Sequence, residues 1–224
     1  FWLFISILLM LGYWFLRSIP QYLFCKDFKD DYTFRQSFKL TLKTQFFNGV
    51  TPFASGGQPF EIYSLKKDGV PISKGTNVVI QNFIVYQIAL ILLGIFSIIY
   101  NHVFVIFPKN SLLKKLILVG FIVNLSVTTV TFMIAFLEKF NNFVIEFVIK
   151  ILGKFKIVKN KEGKIDRLKI YTNNLHEGAK TLVSDKTRFI MMVFVNVIAL
   201  MLQYLVPLFI MFGVGINDVP FFID

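Results

Sequence analysis

The chain has 224 residues, of which 55% are hydrophobic and only 17% charged, whereas a soluble domain carries about 25% charged residues. This composition indicates a membrane protein and excludes a disordered chain, and the single cysteine, Cys25, excludes a disulfide scaffold. The formal charge of +11 comes from basic residues between apolar segments, so we expect anionic lipid headgroups as partners and no bound nucleic acid.

Four apolar segments are long enough, or nearly so, to cross a bilayer, which takes about 20 helical residues. They cover residues 1–16, 78–100, 116–137 and 189–212, and Pro207 is expected to kink the last one. The sequence begins inside an apolar run without the flanks of a signal peptide, so we expect a fragment that is incomplete at both ends. We predict a single all-α transmembrane domain over residues 1–224, a polytopic membrane helical bundle.

The basic residues give the orientation. They follow the first span, precede the second, and make up half of their total of 24 in the segment 138–188. The positive-inside rule places these stretches in the cytoplasm, with 138–188 as a basic cytoplasmic loop. In that loop we expect an interfacial helix over 143–152 and a surface helix over 164–183 that packs on the membrane or the bundle. The protein is expected in a bacterial cell membrane as a multi-pass protein.

The segment 44–65 lies between two basic stretches that belong on the same side of the membrane. It is too apolar for an ordinary loop, and Gly and Pro break it too often for a continuous helix. A re-entrant hairpin, which enters the bilayer and returns, satisfies both constraints. Two short helices meeting at the break would turn free N–H groups toward a cavity and could receive a phosphate. A tight turn without a ligand fits these residues equally well.

Polar residues also occur inside the predicted spans. They are Gln81, Asn82, Gln87, Asn124, Thr128, Thr131, Asn196 and Gln203. Hydrogen bonding between helices is the ordinary explanation, and the lining of a polar path is the alternative. No predicted span has a charged residue at its centre, which counts against a pump built on an embedded carboxylate. His102 and His176 lack further ligands at metal-binding spacing, so we assign no metal site and no cofactor.

The hairpin residues carry a family resemblance. The order Thr51-Pro52-Phe53, a small residue, Ser55-Gly56-Gly57-Gln58-Pro59 and an amphipathic stretch ending in Leu65-Lys66-Lys67 resembles the transmembrane region of the lysylphosphatidylglycerol synthase family, also called the flippase-like domain family. Many members have an acidic residue after the paired glycines and an arginine a few positions later. Gln58 and Glu61 stand at those places here, a departure that weakens the inference of a phosphate-neutralising basic residue at this point.

The resemblance implies a domain that moves a phospholipid, either aminoacylated phosphatidylglycerol or another lipid phosphate, between leaflets. In bifunctional members a soluble domain follows and transfers lysine from lysyl-tRNA to phosphatidylglycerol, which confers resistance to cationic peptides. The first alternative is therefore the membrane half of a phosphatidylglycerol lysyltransferase, with its catalytic domain outside these residues. The second is a non-transporting membrane scaffold. We assign no catalytic residue in this chain.

The predicted headgroup site combines the hairpin with nearby polar and basic residues. The expected contacts are Thr51, Pro52, Gly56, Gly57, Gln58, Pro59 and Asn82. Arg17, Lys66 and Lys67 are expected to attract the headgroup from the cytoplasmic side.

Overall fold

The computed structural model describes residues 1–52, 56–104, 112–137, 140, 143 and 176–216. These residues form helices and, within those ranges, no strand. The helices are α1 (Trp2–Lys26), α2 (Phe34–Val50), α3 (Gly57–Lys67), α4 (Ile72–Phe104), α5 (Leu112–Phe136) and α6 (Lys186–Gly213). Residues 176–184 are also helical and lead into α6.

Four of these helices, α1, α4, α5 and α6, have the length and apolar composition needed to cross a membrane. Their outward faces carry exposed large apolar side chains, among them Leu8, Ile99, Val123 and Phe194. Exposed apolar surface on this scale is typical of helices that face lipid rather than water. The predicted class, an all-α membrane helical bundle, is confirmed.

The helices α1 and α4 extend well beyond their predicted apolar spans. Helix α1 continues past Arg17 and through Pro20 to Lys26, and helix α4 begins at Ile72 instead of Val78. The added turns are polar, but Ser18 and Gln21 are buried against other helices. A hydropathy pattern places the end of a span where polar residues begin, whereas the backbone stays helical because these side chains find partners inside the bundle.

The helices α1 and α6 pack antiparallel along most of their lengths. At one end the ring of Trp2 lies 5.4 Å from that of Phe212, and at the other Arg188 donates to Asp27 Oδ1 (2.9 Å) and to the carbonyl of Leu23 (2.6 Å). A Cβ on Gly12, near the middle of α1, would lie 3.0 Å from Leu202. Gly12 leaves room for the Leu202 side chain between the two helices, and a larger residue would require that side chain to shift.

The helices α2 and α3 form a helical hairpin beside α1. A capping box between Thr33 and Gln36 starts α2, with a 2.8 Å bond from the Thr33 N–H to Gln36 Oε1. The helix α3 packs back on α2, and the rings of Phe47 and Phe60 stack with centroids 4.0 Å apart. Gly69, with φ of 88°, closes α3 in a Schellman turn.

Both ends of this hairpin lie at one end of the bundle. Lys29, in the connection before α2, donates to the carbonyl of Asp68, in the connection after α3. The C-terminus of α1 and the N-termini of α4 and α6 meet there too. We call this the basic end, since it gathers the side chains of Lys26, Lys29, Lys66, Lys67, Lys74 and Arg188.

Residues 176–184 belong to the predicted basic loop and pack into the bundle at the basic end. Ala179 and Leu182 are buried in the core, and a Cβ on Gly178 would overlap the side chain of Asn77. The predicted surface helix over 164–183 is therefore seen only in its last part, where it packs on the bundle. The rest of it, and the interfacial helix over 143–152 apart from Phe143, lie outside the described residues.

Candidate functional site: a buried polar network

A chain of hydrogen bonds crosses from α1 through α2 to α3. The hydroxyl oxygens of Ser18 and Thr41 are 3.0 Å apart, and Thr41 donates to Gln21 Oε1 (2.8 Å). The amide of Gln21 then donates to Glu61 Oε1 (2.7 Å). Ser37 adds a bond to the carbonyl of Ser18 (2.8 Å). The small polar residues of α1 and α2 thus hold the hairpin against the first spanning helix.

Glu61 is the carboxylate at the end of this chain. It is only 5% exposed and shares the buried face of α3 with Gly57 and Leu65, which lie four residues to either side. Besides Gln21, the side chain of Asn82 on α4 is a hydrogen-bonding neighbour, and Arg17 is the nearby cation. A carboxylate inside an apolar bundle needs such partners, because a buried unpaired charge is strongly unfavourable.

Arg17 joins three spanning helices around Glu61. From α1, its Nη1 donates to Asn196 Oδ1 on α6 (2.7 Å), and its guanidinium lies 4.5 Å from the ring centroid of Tyr86 on α4. The Asn196 amide donates to the carbonyl of Met192 (2.9 Å), which turns its oxygen toward Arg17. The positive charge is therefore fixed by a hydrogen bond and by a cation–π contact.

A small cavity of about 10 Å³ lies between these groups, room for about one water molecule. Its walls come from α1, α2, α3 and α4: Arg17, Gln21, Thr41, Thr44, Gln45, Glu61 and Asn82. Three buried atoms in the wall have no hydrogen-bond partner within the described part of the chain: Arg17 Nε, Thr44 Oγ1 and Asn82 Oδ1. The cavity thus offers a cationic donor, a hydroxyl and an acceptor to a small polar group.

The network lies at the level of the predicted membrane spans. In the predicted span 78–100, Tyr86 and Asn82 precede the central Ala89 by three and seven residues. In the span 189–212, Asn196 lies about one turn before the centre. At about 1.5 Å per residue, the network is roughly 5–10 Å from the centre of the bundle, toward the basic end. The ionisable groups at this level come from Glu61 in the hairpin and from Arg17 just past the predicted first span, so neither belongs to a span as predicted from the sequence.

The turn of the hairpin is closed by its own side chains. The N–H of Gly56 donates to Thr51 Oγ1 (2.9 Å), and the N–H of Gly57 donates to Asn48 Oδ1 (3.1 Å). These two groups are not free, contrary to the expectation that they would face a cavity. A Cβ on Gly56 would overlap Thr51, and one on Gly57 would overlap Asn48. The paired glycines therefore allow the close approach that these caps require.

The predicted headgroup residues fall into three places. Arg17 and Asn82 line the polar cavity. The turn contains Thr51, Gly56 and Gly57, with Pro52, Gln58 and Pro59 exposed around it. Lys66 and Lys67 are exposed at the basic end, about 14 Å along α3 from Gly57. The structure therefore does not bring the ten residues into one pocket.

Sequence reasoning did not assign Glu61 and Gln21 to the site. The spacing of Gly57, Glu61 and Leu65 was the available signal, because residues four apart share one helical face and two of the three are obvious packing residues. For Gln21, burial depends on the position of α2, which no local pattern gives.

The comparisons agree with the motif in the hairpin. The family model described as the lysylphosphatidylglycerol synthase TM region matches residues 1–223. Searches of curated proteins and of solved structures gave no significant match. The family match covers essentially the whole chain and confirms the resemblance found in residues 51–67. The chain belongs to the family of the lysylphosphatidylglycerol synthase transmembrane region.

Proposed function

We propose that this domain translocates a phospholipid, aminoacylated phosphatidylglycerol or another lipid phosphate, between the leaflets of a bacterial cell membrane. The observation that supports it best is the pair of ionisable side chains, Arg17 on α1 and Glu61 in the hairpin, which meet at the level of the predicted spans. Ionisable residues at this depth are costly and commonly mark the path of a polar substrate. The family description, which refers to lysylphosphatidylglycerol, supports the assignment to a lipid substrate.

A headgroup that leaves water needs replacement hydrogen bonds along its route. In our proposal the guanidinium of Arg17 donates to a phosphate oxygen, and Asn82 accepts a hydrogen bond from a headgroup hydroxyl or amine. The acyl chains stay in lipid. Lys66 and Lys67 attract the headgroup at the basic end. A phosphate is larger than the cavity of about 10 Å³, so passage requires the α2–α3 hairpin to move away from α1 and α4.

Exchange of lipid between leaflets tests this proposal. The complete protein is reconstituted into liposomes, and the loss of a fluorescent phospholipid from one leaflet is followed with an impermeant quencher. Asn82→Leu removes a polar group of the cavity wall and is expected to slow exchange about tenfold, since one hydrogen bond to a charged group accounts for a factor of that order.

The matched control is Asn124→Leu, the same change on α5 and outside the cavity, which should leave the exchange rate unchanged. Equal rates for the parent protein and the Asn82→Leu variant would reject a headgroup path through this cavity. No exchange above that of empty liposomes in the parent protein would reject translocation itself.

The proposal requires the hairpin to enter and leave the membrane from one side. Single cysteines at Asp30 and Lys67, both exposed at the basic end, are expected to react with an impermeant thiol reagent from the cytoplasmic side only. The measurement uses intact cells and inverted vesicles, in a Cys25→Ser background. Reaction of the two positions from opposite sides would mean that α2 and α3 together cross the membrane, and the re-entrant hairpin would be wrong.

The membrane half of a phosphatidylglycerol lysyltransferase is the second candidate, and the family description favours it. In that case the domain would hold or move the product of a soluble transferase domain elsewhere in the parent protein. The complete reading frame separates the two, because a transferase domain in the same protein would make the parent bifunctional. Leaflet exchange also decides between transport and a membrane scaffold that moves no lipid.

A further inference from the structure

The outward face of α2 carries a row of basic residues. Arg35, Lys39 and Lys43 follow one another at intervals of four residues, so they share one face of the helix, and all three are exposed. The opposite face contains the buried residues Ser37, Leu40, Thr41 and Thr44. Within the described part of the chain, no hydrogen bond or ion pair engages the three basic side chains.

This basic face descends alongside α1 to membrane depth. Phe34 contacts Tyr22 near the basic end, Thr41 lies beside Ser18, and Gln45 is a neighbour of Tyr13 in the middle of α1. Lys43 therefore lies close to the level of Arg17. From Arg35 to Lys43 the face covers eight residues, about 12 Å along the helix.

The same face becomes apolar at its deeper end. Phe46 follows Lys43 by three residues and Val50 follows Phe46 by four, and the two side chains are 64% and 60% exposed. The outward faces of α1, α4, α5 and α6 are apolar and suited to acyl chains. Lysine at this depth is costly in contact with lipid alone, so the basic face needs water or an anionic partner. A phospholipid fits this succession from basic to apolar surface, because its phosphate can contact the lysines while its acyl chains lie along Phe46 and Val50.

We propose that the Arg35–Lys39–Lys43 face of α2 binds the phosphate groups of phospholipids and draws them below the headgroup layer. This rests on the proposed function, since it describes how a lipid approaches the hairpin from the basic end. The inference rests on the exposure of these three side chains and on their depth along α1. Because the three cations lie on one face at one-turn intervals, a phosphate can bind to them one after another. The face adjoins the network by way of α2 itself, whose buried side holds Thr41 and Thr44 of the cavity.

The test measures lipid phosphorus near this face directly. In the complete protein with Cys25→Ser, a nitroxide is attached at Phe46→Cys, which leaves the basic residues intact, and the protein is placed in phosphatidylglycerol liposomes. The control nitroxide is at Leu11→Cys, an exposed position on α1 at a similar level. We expect the label at position 46 to increase the relaxation rate of lipid phosphorus severalfold more than the label at position 11.

Charge variants then identify the cause. Lys39→Gln with Lys43→Gln should reduce the effect of the label at position 46 to that of the control, whereas Lys39→Arg with Lys43→Arg should retain it. Equal relaxation from positions 46 and 11 would overturn the inference, because other protein or acyl chains would then cover the face. Relaxation at position 46 that survives the glutamine changes would overturn it as well.

Leaflet exchange on the same samples separates this inference from the proposed function. Exchange without phosphorus near position 46 would reject the basic face and leave translocation standing. Phosphorus near position 46, lost with the lysines but without exchange, would support the binding face and reject translocation.

Discussion

Arg17→Ala is expected to destabilise the folded domain by about 2–3 kcal/mol, somewhat below the loss that follows removal of one partner from a fully buried ion pair, because Arg17 is only partly buried. The change leaves Asn196 Oδ1 without its donor and Glu61 without its nearby cation. Thermal unfolding of the complete protein in detergent, followed by helical circular dichroism, measures the effect.

A double variant checks the cause. Glu61→Gln keeps an acceptor for the Gln21 amide and removes the charge, so Arg17→Ala with Glu61→Gln should be more stable than Arg17→Ala alone. If the second change lowered stability by the same amount in both backgrounds, the two groups would be independent. The paired-charge account of the network would then be wrong.

Gly57→Ala is expected to lower stability by about 1–3 kcal/mol, because the new Cβ would overlap the side chain of Asn48 and displace the cap on α3. Gly49→Ala, in the last turn of α2, provides a matched control. A Cβ at Gly49 meets nothing within 4 Å, and alanine favours the helix by roughly 0.5–1 kcal/mol over glycine. The two variants should therefore change the unfolding temperature in opposite directions.

Asn48→Ala tests the origin of the difference. It removes the obstructing amide together with the cap. Gly57→Ala should therefore lower the free energy of unfolding less in the Asn48→Ala background than in the parent protein. An unchanged cost would point to another constraint on Gly57. Because Gly57 is needed for the turn, a loss of transport in a Gly57 variant would indicate a damaged hairpin. Asn82 is therefore the more informative position for testing the headgroup path.

The four long apolar helices could be predicted because their exposed residues are apolar over long stretches, which is a local property. Their ends could not, since Ser18, Gln21 and Asn77 are polar residues buried by other parts of the chain. Hydropathy records the polarity of a side chain and contains no information about its partner. The error is largest for α1, which extends ten residues beyond the predicted limit at residue 16.

The break in the hairpin could also be predicted, since Pro52 and the paired glycines are local signals, and α2 and α3 do end and begin around it. The start of α2 at Phe34 was not predicted, because its polar residues resemble a loop. The caps from Asn48 and Thr51 require two helices to meet, and the contact of Glu61 with Gln21 joins residues forty positions apart. Entry of the hairpin into the bilayer from one side stays a prediction.

The acceptor of Arg17 is Asn196, 179 residues later in the chain. A ribosome adding about 5–20 residues per second needs roughly 10–35 s to travel that distance. During this interval Glu61 and Tyr86 have been made, but the hydrogen-bond acceptor of the Arg17 guanidinium has not. The network is complete only after α6 has been inserted, so a translation product that ends before Asn196 would lack the hydrogen bond that ties Arg17 to the last described helix.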